Sequence, residues 1–208
     1  MRRLSTFAAV CALGLAGSAQ AQIGSGWTQF APSSFLDFQC GGDHIHHPVG
    51  NRTVNGAASY SSSGGVETFR LLNNGCNRIE RRADEHYTSG KRQMQGDVKI
   101  SQVSNQSIHQ LFFGSSGPQI MVKGYTSSGG QLKKQGGSVV IASGISGVWV
   151  RYNLINRVGS GMEVYINGVR KATGGSPTGA GYNNKYGLYG TKTTSAPVVQ
   201  WRNVKHFR

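Results

Sequence analysis

Three short strings, far apart in the chain, hold the residues best suited to chemistry: Arg78-Ile79-Glu80-Arg81-Arg82, Ser107-Ile108-His109 and Lys185-Tyr186-Gly187-Leu188-Tyr189. In each, polar members stand two or four residues apart, the spacing at which side chains leave one face of a β-strand. Laid side by side, such strands line one surface with Arg78, Glu80, Arg82, His109, Lys185 and Tyr189. Cations grip an acid, an imidazole exchanges protons near neutral pH, and a phenol gives or takes one. Together they suit removal of a proton beside a carboxylate, the step by which elimination cleaves a polymer of acidic sugars.

The elements that must position these residues read as strands throughout. Sustained helical periodicity is almost absent, and short runs of β-branched and aromatic residues are broken by Gly, Ser and Asn. The pattern predicts strands at Glu67–Leu72, Arg78–Arg82, Lys91–Val103, Ser107–Phe113, Gln119–Thr126, Ser138–Ala142, Val148–Arg157, Met162–Ala172, Lys185–Tyr189 and Val198–Phe207. Asn167-Gly168 is a strong two-residue hairpin signal, and Gly129-Gly130 a weaker one. Ser59–Gly65 and Thr173–Asn184 read as surface loops. So many strands at near-regular spacing predict one all-β domain, a sandwich or jelly roll of two antiparallel sheets.

Residues 1–21 read as a secretory signal: Arg2 and Arg3, an apolar stretch from Leu4 to Gly17, and a small-residue cleavage site at Ala19-Gln20-Ala21. The mature domain is then residues 22–208, secreted or periplasmic. Losing the signal removes Arg2 and Arg3 and no acid, which leaves +12 of the formal charge of +14. That excess calls for an anionic partner, and for an exported chain an acidic polysaccharide fits better than nucleic acid or a membrane surface. A monomer is expected. Cys11 leaves with the signal, so Cys40 and Cys76 form an even pair in an oxidising compartment and are expected to bond.

Arg78-Ile79-Glu80-Arg81-Arg82 resembles the R-x-E-x-R strand of the alginate-lyase-type polysaccharide lyases, family 7 and its jelly-roll relatives such as the glucuronan lyases. Ser107-Ile108-His109 is similar to their Q-I-H strand and Lys185-Tyr186-Gly187-Leu188-Tyr189 to their K-A-G-V-Y strand, in the same order. Val198-Val199-Gln200-Trp201-Arg202-Asn203-Val204 resembles the last strand of these concanavalin-like sandwiches. The resemblance implies a groove on a concave sheet and β-elimination of a polyuronate such as alginate or glucuronan, without a cofactor. It implies catalytic roles for His109, Tyr189, Arg78 and Arg82, and substrate contacts from Lys185 and Glu80. The family's glutamine is Ser107 here and the tyrosine opening its last motif is Asn183; both positions are expected to touch substrate.

Rival chemistries fit less well. A glycoside hydrolase of the same fold needs two carboxylates flanking the scissile bond, and none of the predicted strands presents two of the chain's eight acids in alternation. A non-catalytic module that binds acidic glycans uses the same groove and is the alternative reading. In Asp43-His44-Ile45-His46-His47, His44 and His46 share a strand face, which suits a metal or a substrate contact. No matching carboxylate–histidine set follows downstream, and no metal is expected.

Overall fold

The computed structural model describes residues 23–136, 139–191 and 196–208. The expected signal segment lies outside the described residues, as does the start of the expected strand at Ser138. The described residues form strands β1 (Gln29–Phe30), β2 (Ser34–Cys40), β3 (Asp43–Pro48), β4 (Arg52–Val54), β5 (Ala58–Ser63), β6 (Val66–Leu71), β7 (Cys76–Ala83), β8 (Lys91–Ser101) and β9 (Ser104–Phe113). They continue with β10 (Pro118–Tyr125), β11 (Gln131–Lys134), β12 (Val140–Ser143), β13 (Val150–Arg157), β14 (Gly161–Ile166), β15 (Val169–Gly174), β16 (Tyr182–Tyr189) and β17 (Val198–Phe207). No helix among them is long and apolar enough to cross a membrane.

Two antiparallel sheets stack as a jelly-roll sandwich. One runs β15-β14-β13-β8-β17-β6-β5-β4, with β1 added along β17; the other runs β12-β11-β10-β9-β16-β7-β2-β3. Strands distant in sequence therefore become neighbours, and β9, β16, β7, β2 and β3 lie in one uninterrupted row. The hairpin at Asn167-Gly168 forms as expected, with φ of 49° and 81° at its two central residues, the backbone that Asn-Gly supplies at low cost. The segment read as a loop at Ser59–Gly65 is instead largely strand β5. Its run of serines hides a strand because its pairing with β6 rests on backbone bonds, to which side-chain patterning is blind.

The inner faces bury Leu36, Phe38, Ile79, Met94, Ile100, Leu111, Leu188 and Val199 between the sheets. A row of rings crosses this core from Tyr60 through Phe69, Tyr186, Trp201 and Tyr152 to His109, with centroids 5.1–5.8 Å apart. Such contacts add to burial the edge-to-face attraction of aromatic pairs. Glu67 is also enclosed, its carboxylate accepting from Tyr60 Oη (2.6 Å), Tyr186 Oη (2.8 Å) and Arg81 Nη1 (2.7 Å). Its charge is thus met on all sides, as a buried carboxylate requires.

Cys40 and Cys76 are bonded, joining the end of β2 to the start of β7. The bridge closes a sequence separation of 36 residues, which loop-closure entropy values at about 4 kcal/mol. Replacing both cysteines with serine is expected to lower unfolding stability by about that amount. Denaturant midpoints of the two proteins check it; equal midpoints would refute it.

Candidate active site

The outer face of the second sheet carries a layer of charge. Register alone fixes which residues share it: Asp37 pairs Glu80, Phe35 pairs Arg82 and Gln39 pairs Arg78 across β2 and β7. Lys185 pairs Arg82, and Tyr189 pairs Arg78, across β7 and β16. On the far side of β16, Lys185 pairs Gln110 and Asn183 pairs Phe112 on β9. Arg78, Glu80, Arg82, Lys185, Asn183 and Tyr189 are therefore brought together as the strand spacing predicts.

His109 is the correction. It is fully buried between the sheets, its Nδ1 lying 3.0 Å from Tyr152 Oη on the opposite sheet. The cause is a β-bulge. Val122 and Lys123 on β10 pair with His109 and Ser107, so β9 carries one extra residue, Ile108, at this point. Such an insertion breaks the two-residue alternation, and both Ile108 and His109 turn inward. Ser107 stays on the outer face, paired with Tyr189, but is closed off, with its hydroxyl donating to the His109 carbonyl at 3.1 Å. The alternation resumes beyond the bulge, so Gln110 emerges beside Lys185.

On the other side of the same contact, β16 advances three residues while β9 advances two. Gly187 absorbs the difference at φ +140°, and a Cβ there would stand 2.5 Å from the Ile79 carbonyl oxygen. Only glycine lets β16 lie this close to β7. The glycine of the third motif therefore sets the spacing between Tyr189 and the arginines.

The charges neutralise one another. Arg78 Nη1 reaches Asp37 Oδ2 at 3.2 Å and Arg78 Nε reaches Glu80 Oε2 at 3.3 Å; Lys185 Nζ shares Asp37 Oδ2 at 3.3 Å. Gln110 Nε2 donates to Glu80 Oε1 at 2.5 Å. Burial alone would raise the Asp37 pKa, yet the His44 hydrogen bond and the Lys185 and Arg78 charges outweigh it and hold the carboxyl below its usual range. For Glu80 burial prevails over Arg78, Lys185 and Gln110 and pushes the carboxyl up. Burial likewise lowers the Lys185 ammonium, against the pull of Glu80.

Above this layer stand the groups that face outward. The Tyr189 ring lies under the Arg78 guanidinium (4.5 Å), Phe112 under the Lys185 ammonium (4.3 Å) and Phe35 near Arg82 (5.6 Å). Arg82 makes no ion pair among the described residues, and its Nε is buried without a hydrogen-bond partner; Gln110 Oε1 and Asn183 Oδ1 are likewise unmet. A donor and two acceptors thus share one face, each closed to solvent and without a hydrogen-bond partner among the described residues. His44 and His46 close the row on β3, where His44 Nδ1 lies 2.9 Å from Asp37 Oδ1.

Two clefts are large. One, of about 750 Å³, opens on the outer face between Gln110, Phe112, Met121, Lys123 and Tyr189. The other, about 830 Å³, lies at one end of the sandwich over Glu67 and Arg81. Its floor is closed on itself by the Glu67 hydrogen bonds, so the smaller cleft, which Gln110 and Tyr189 line on the charged face, is the better site.

Sequence reasoning missed Asp37 and Gln110. Asp37 had a signal, a lone acid between Leu36 and Phe38 in Ser34-Phe35-Leu36-Asp37-Phe38-Gln39-Cys40. Gln110 had none, because its facing depends on the bulge.

No protein-family model matches the chain, and no curated protein matches it in sequence. Solved structures do. The alginate lyase AlgAT5 from polysaccharide lyase family 7 superposes with a TM-score of 0.65 at 17% identity, covering 84% of this chain and 94% of its own. The fold is shared with the family 7 alginate lyases. A marine family 7 alginate lyase from Zobellia galactanivorans gives 0.64 at 16% identity (83% and 93% covered), and an alginate lyase from Pseudomonas aeruginosa gives 0.66 at 13% (83% and 97%). Part of a sialidase also matches, at 0.56 and 12% identity, over 75% of this chain and 16% of that one.

The inward His109 has a thermodynamic consequence. Burial pushes its imidazole down to about 3 from 6.5, and that of His206, half-buried at the sandwich end cleft, down to about 4. Above pH 6.5 both are neutral folded or unfolded and contribute no pH dependence. Below it the unfolded chain takes up protons that the folded chain refuses, so stability falls with pH through the window from 6.5 to about 3. His109→Gln is expected to remove one proton from that dependence, making the loss between pH 6.5 and 4 shallower in urea unfolding. An unchanged slope would contradict a neutral, buried His109.

Proposed function

We propose that this protein is an exported lyase that cleaves a uronic-acid polysaccharide, of the alginate or glucuronan class, by β-elimination. One observation carries the reading: Arg82, a half-buried cation that makes no ion pair among the described residues, lies on the same face as Gln110 and Asn183, whose Oε1 and Oδ1 have no hydrogen-bond partner. The fold shared with alginate lyases supports it, as does the excess of positive charge.

In this reading the sugar carboxylate docks on Arg82, whose planar fork matches it, with Lys185 adjacent. Gln110 and Asn183 accept from sugar hydroxyls. Losing the C5 proton builds negative charge on that carboxylate. Cations already in place stabilise it without reorganising, commonly the main source of rate enhancement in such catalysis. Proton transfer falls to Tyr189, whose hydroxyl has no partner among the described residues. Acting as phenolate, its oxygen takes the C5 proton; the C5–H electrons form the C4=C5 bond, the C4–O4 bond breaks, and O4 takes the proton back from the phenol. Arg78, bound by Asp37 and Glu80 and stacked on the ring, positions Tyr189 rather than meeting substrate.

Tyr189→Phe keeps the ring and deletes the proton-carrying oxygen. It is expected to lower turnover by about 10²- to 10⁴-fold with polymer affinity nearly unchanged, followed by ultraviolet absorbance of the unsaturated product across a panel of polyuronates. Arg82→Ala is expected to weaken binding and turnover together. Wild-type activity in Tyr189→Phe would overturn the mechanism, and a wild-type protein that binds polyuronates but cleaves none would make it a glycan-binding module.

A further inference from the structure

Asp37, His44 and His46 form a compact group at the β2–β3 end of the same face. The strands pair with His46 opposite Asp37 and His44 opposite Gln39, and the two-residue spacing sends both imidazoles to the side where Asp37 lies. Asp37 Oδ1 is 2.9 Å from His44 Nδ1 and 3.6 Å from His46 Nε2, and one donor atom from each residue lies within 4.8 Å of the others. A tetrahedral ion bound at about 2.0–2.1 Å spaces its ligand atoms about 3.3–3.4 Å apart. The three donors are therefore close to a coordinating arrangement before any ion arrives.

The surroundings sort the carboxylate in the same way. Oδ2 takes Arg78 and Lys185, which leaves Oδ1 turned to the imidazoles. Outer hydrogen bonds of this kind orient carboxylates that ligate metals. Asp37 is closed to solvent while the His44 and His46 side chains are 45% and 50% exposed, so an ion held here keeps open positions toward the groove. Two imidazoles and one carboxylate suit zinc, copper or nickel rather than the all-oxygen preference of calcium and magnesium.

We propose that Asp37, His44 and His46 form a binding site for a divalent transition-metal ion whose open positions take a carboxylate of a bound polyuronate. The ion coordination stands on the geometry alone; the shared carboxylate rests on the glycan reading of this face. Arg78 and Lys185 beside Asp37 oppose a further positive charge, and a polyanion laid along the groove offsets that opposition. Metal and polymer are then reciprocal ligands, each tightening the other by the same factor. The ion replaces the His44–Asp37 hydrogen bond and leaves Tyr189 and Arg82 as they are.

The test is calorimetric titration of zinc chloride into untagged protein, alone and with a saturating polyuronate held uncleaved by Tyr189→Phe. One Zn²⁺ per chain is expected, weakened more than about tenfold in His46→Ala, a variant whose thermal midpoint without zinc should match the parent. Substituted Co²⁺ is expected to show the visible absorption of a tetrahedral site, absent in His46→Ala. Polymer is expected to tighten zinc at least about fivefold. No zinc binding by the parent, or equal binding by the parent and His46→Ala, overturns the site. Zinc lost in His46→Ala but indifferent to polymer upholds the ion and overturns the shared carboxylate. Because zinc is read without turnover, failure of the lyase reading and failure of the metal site give different results.

Discussion

Four charged side chains packed into one nearly dry layer are the constraint on which this face depends. Asp37, Glu80, Arg78 and Lys185 are each almost closed to water. None is tolerable alone there: removing one partner from a buried ion pair typically costs about 3–5 kcal/mol. Together they offset one another, and the pairing fixes where everything above them stands. Arg78 cannot leave its two carboxylates, so Tyr189 stacked on it is held too. Lys185 is tied to Asp37, so Phe112 under it is placed. Arg82 escapes this mutual neutralisation, and for that reason it has capacity left for a ligand.

The layer exists because of strand order and two local irregularities. β7 sits between β2 and β16, which brings the acid of one strand and the lysine of the other to the same arginine. The disulfide ties β2 to β7 at the end nearest Arg78. The bulge at Ile108 on β9 exchanges a histidine for a glutamine on the outer face, and the offset at Gly187 lets β16 approach β7 closely enough for the contacts to form. What the face presents is thus a hydrogen-bonding amide in place of the imidazole the local sequence suggests.

The sequence made the strands of the second half legible because their apolar alternation is strong and their turns carry Asn-Gly or Gly-Gly. Arg78, Glu80, Arg82, Lys185 and Tyr189 were legible for the same reason: they lie on strands whose two-residue period persists across each motif. His109 was misplaced because a bulge has no signature in Gln106-Ser107-Ile108-His109-Gln110 that distinguishes it from regular strand. Strands β2 and β5 were invisible for a different reason. Leu36, Asp37 and Phe38 are all buried, one acid under the outer layer and two apolar neighbours in the core, and the serines of β5 pair through backbone. Burial on both faces erases the contrast on which alternation depends.

The most direct measurement is a crystal structure of the Tyr189→Phe protein soaked with a uronate oligosaccharide. The proposed mechanism requires a sugar carboxylate within hydrogen-bonding distance of Arg82, with sugar hydroxyls on Gln110 and Asn183. Oligosaccharide bound instead in the cleft over Glu67 and Arg81, or on the outer face with Arg82 unengaged, would contradict it.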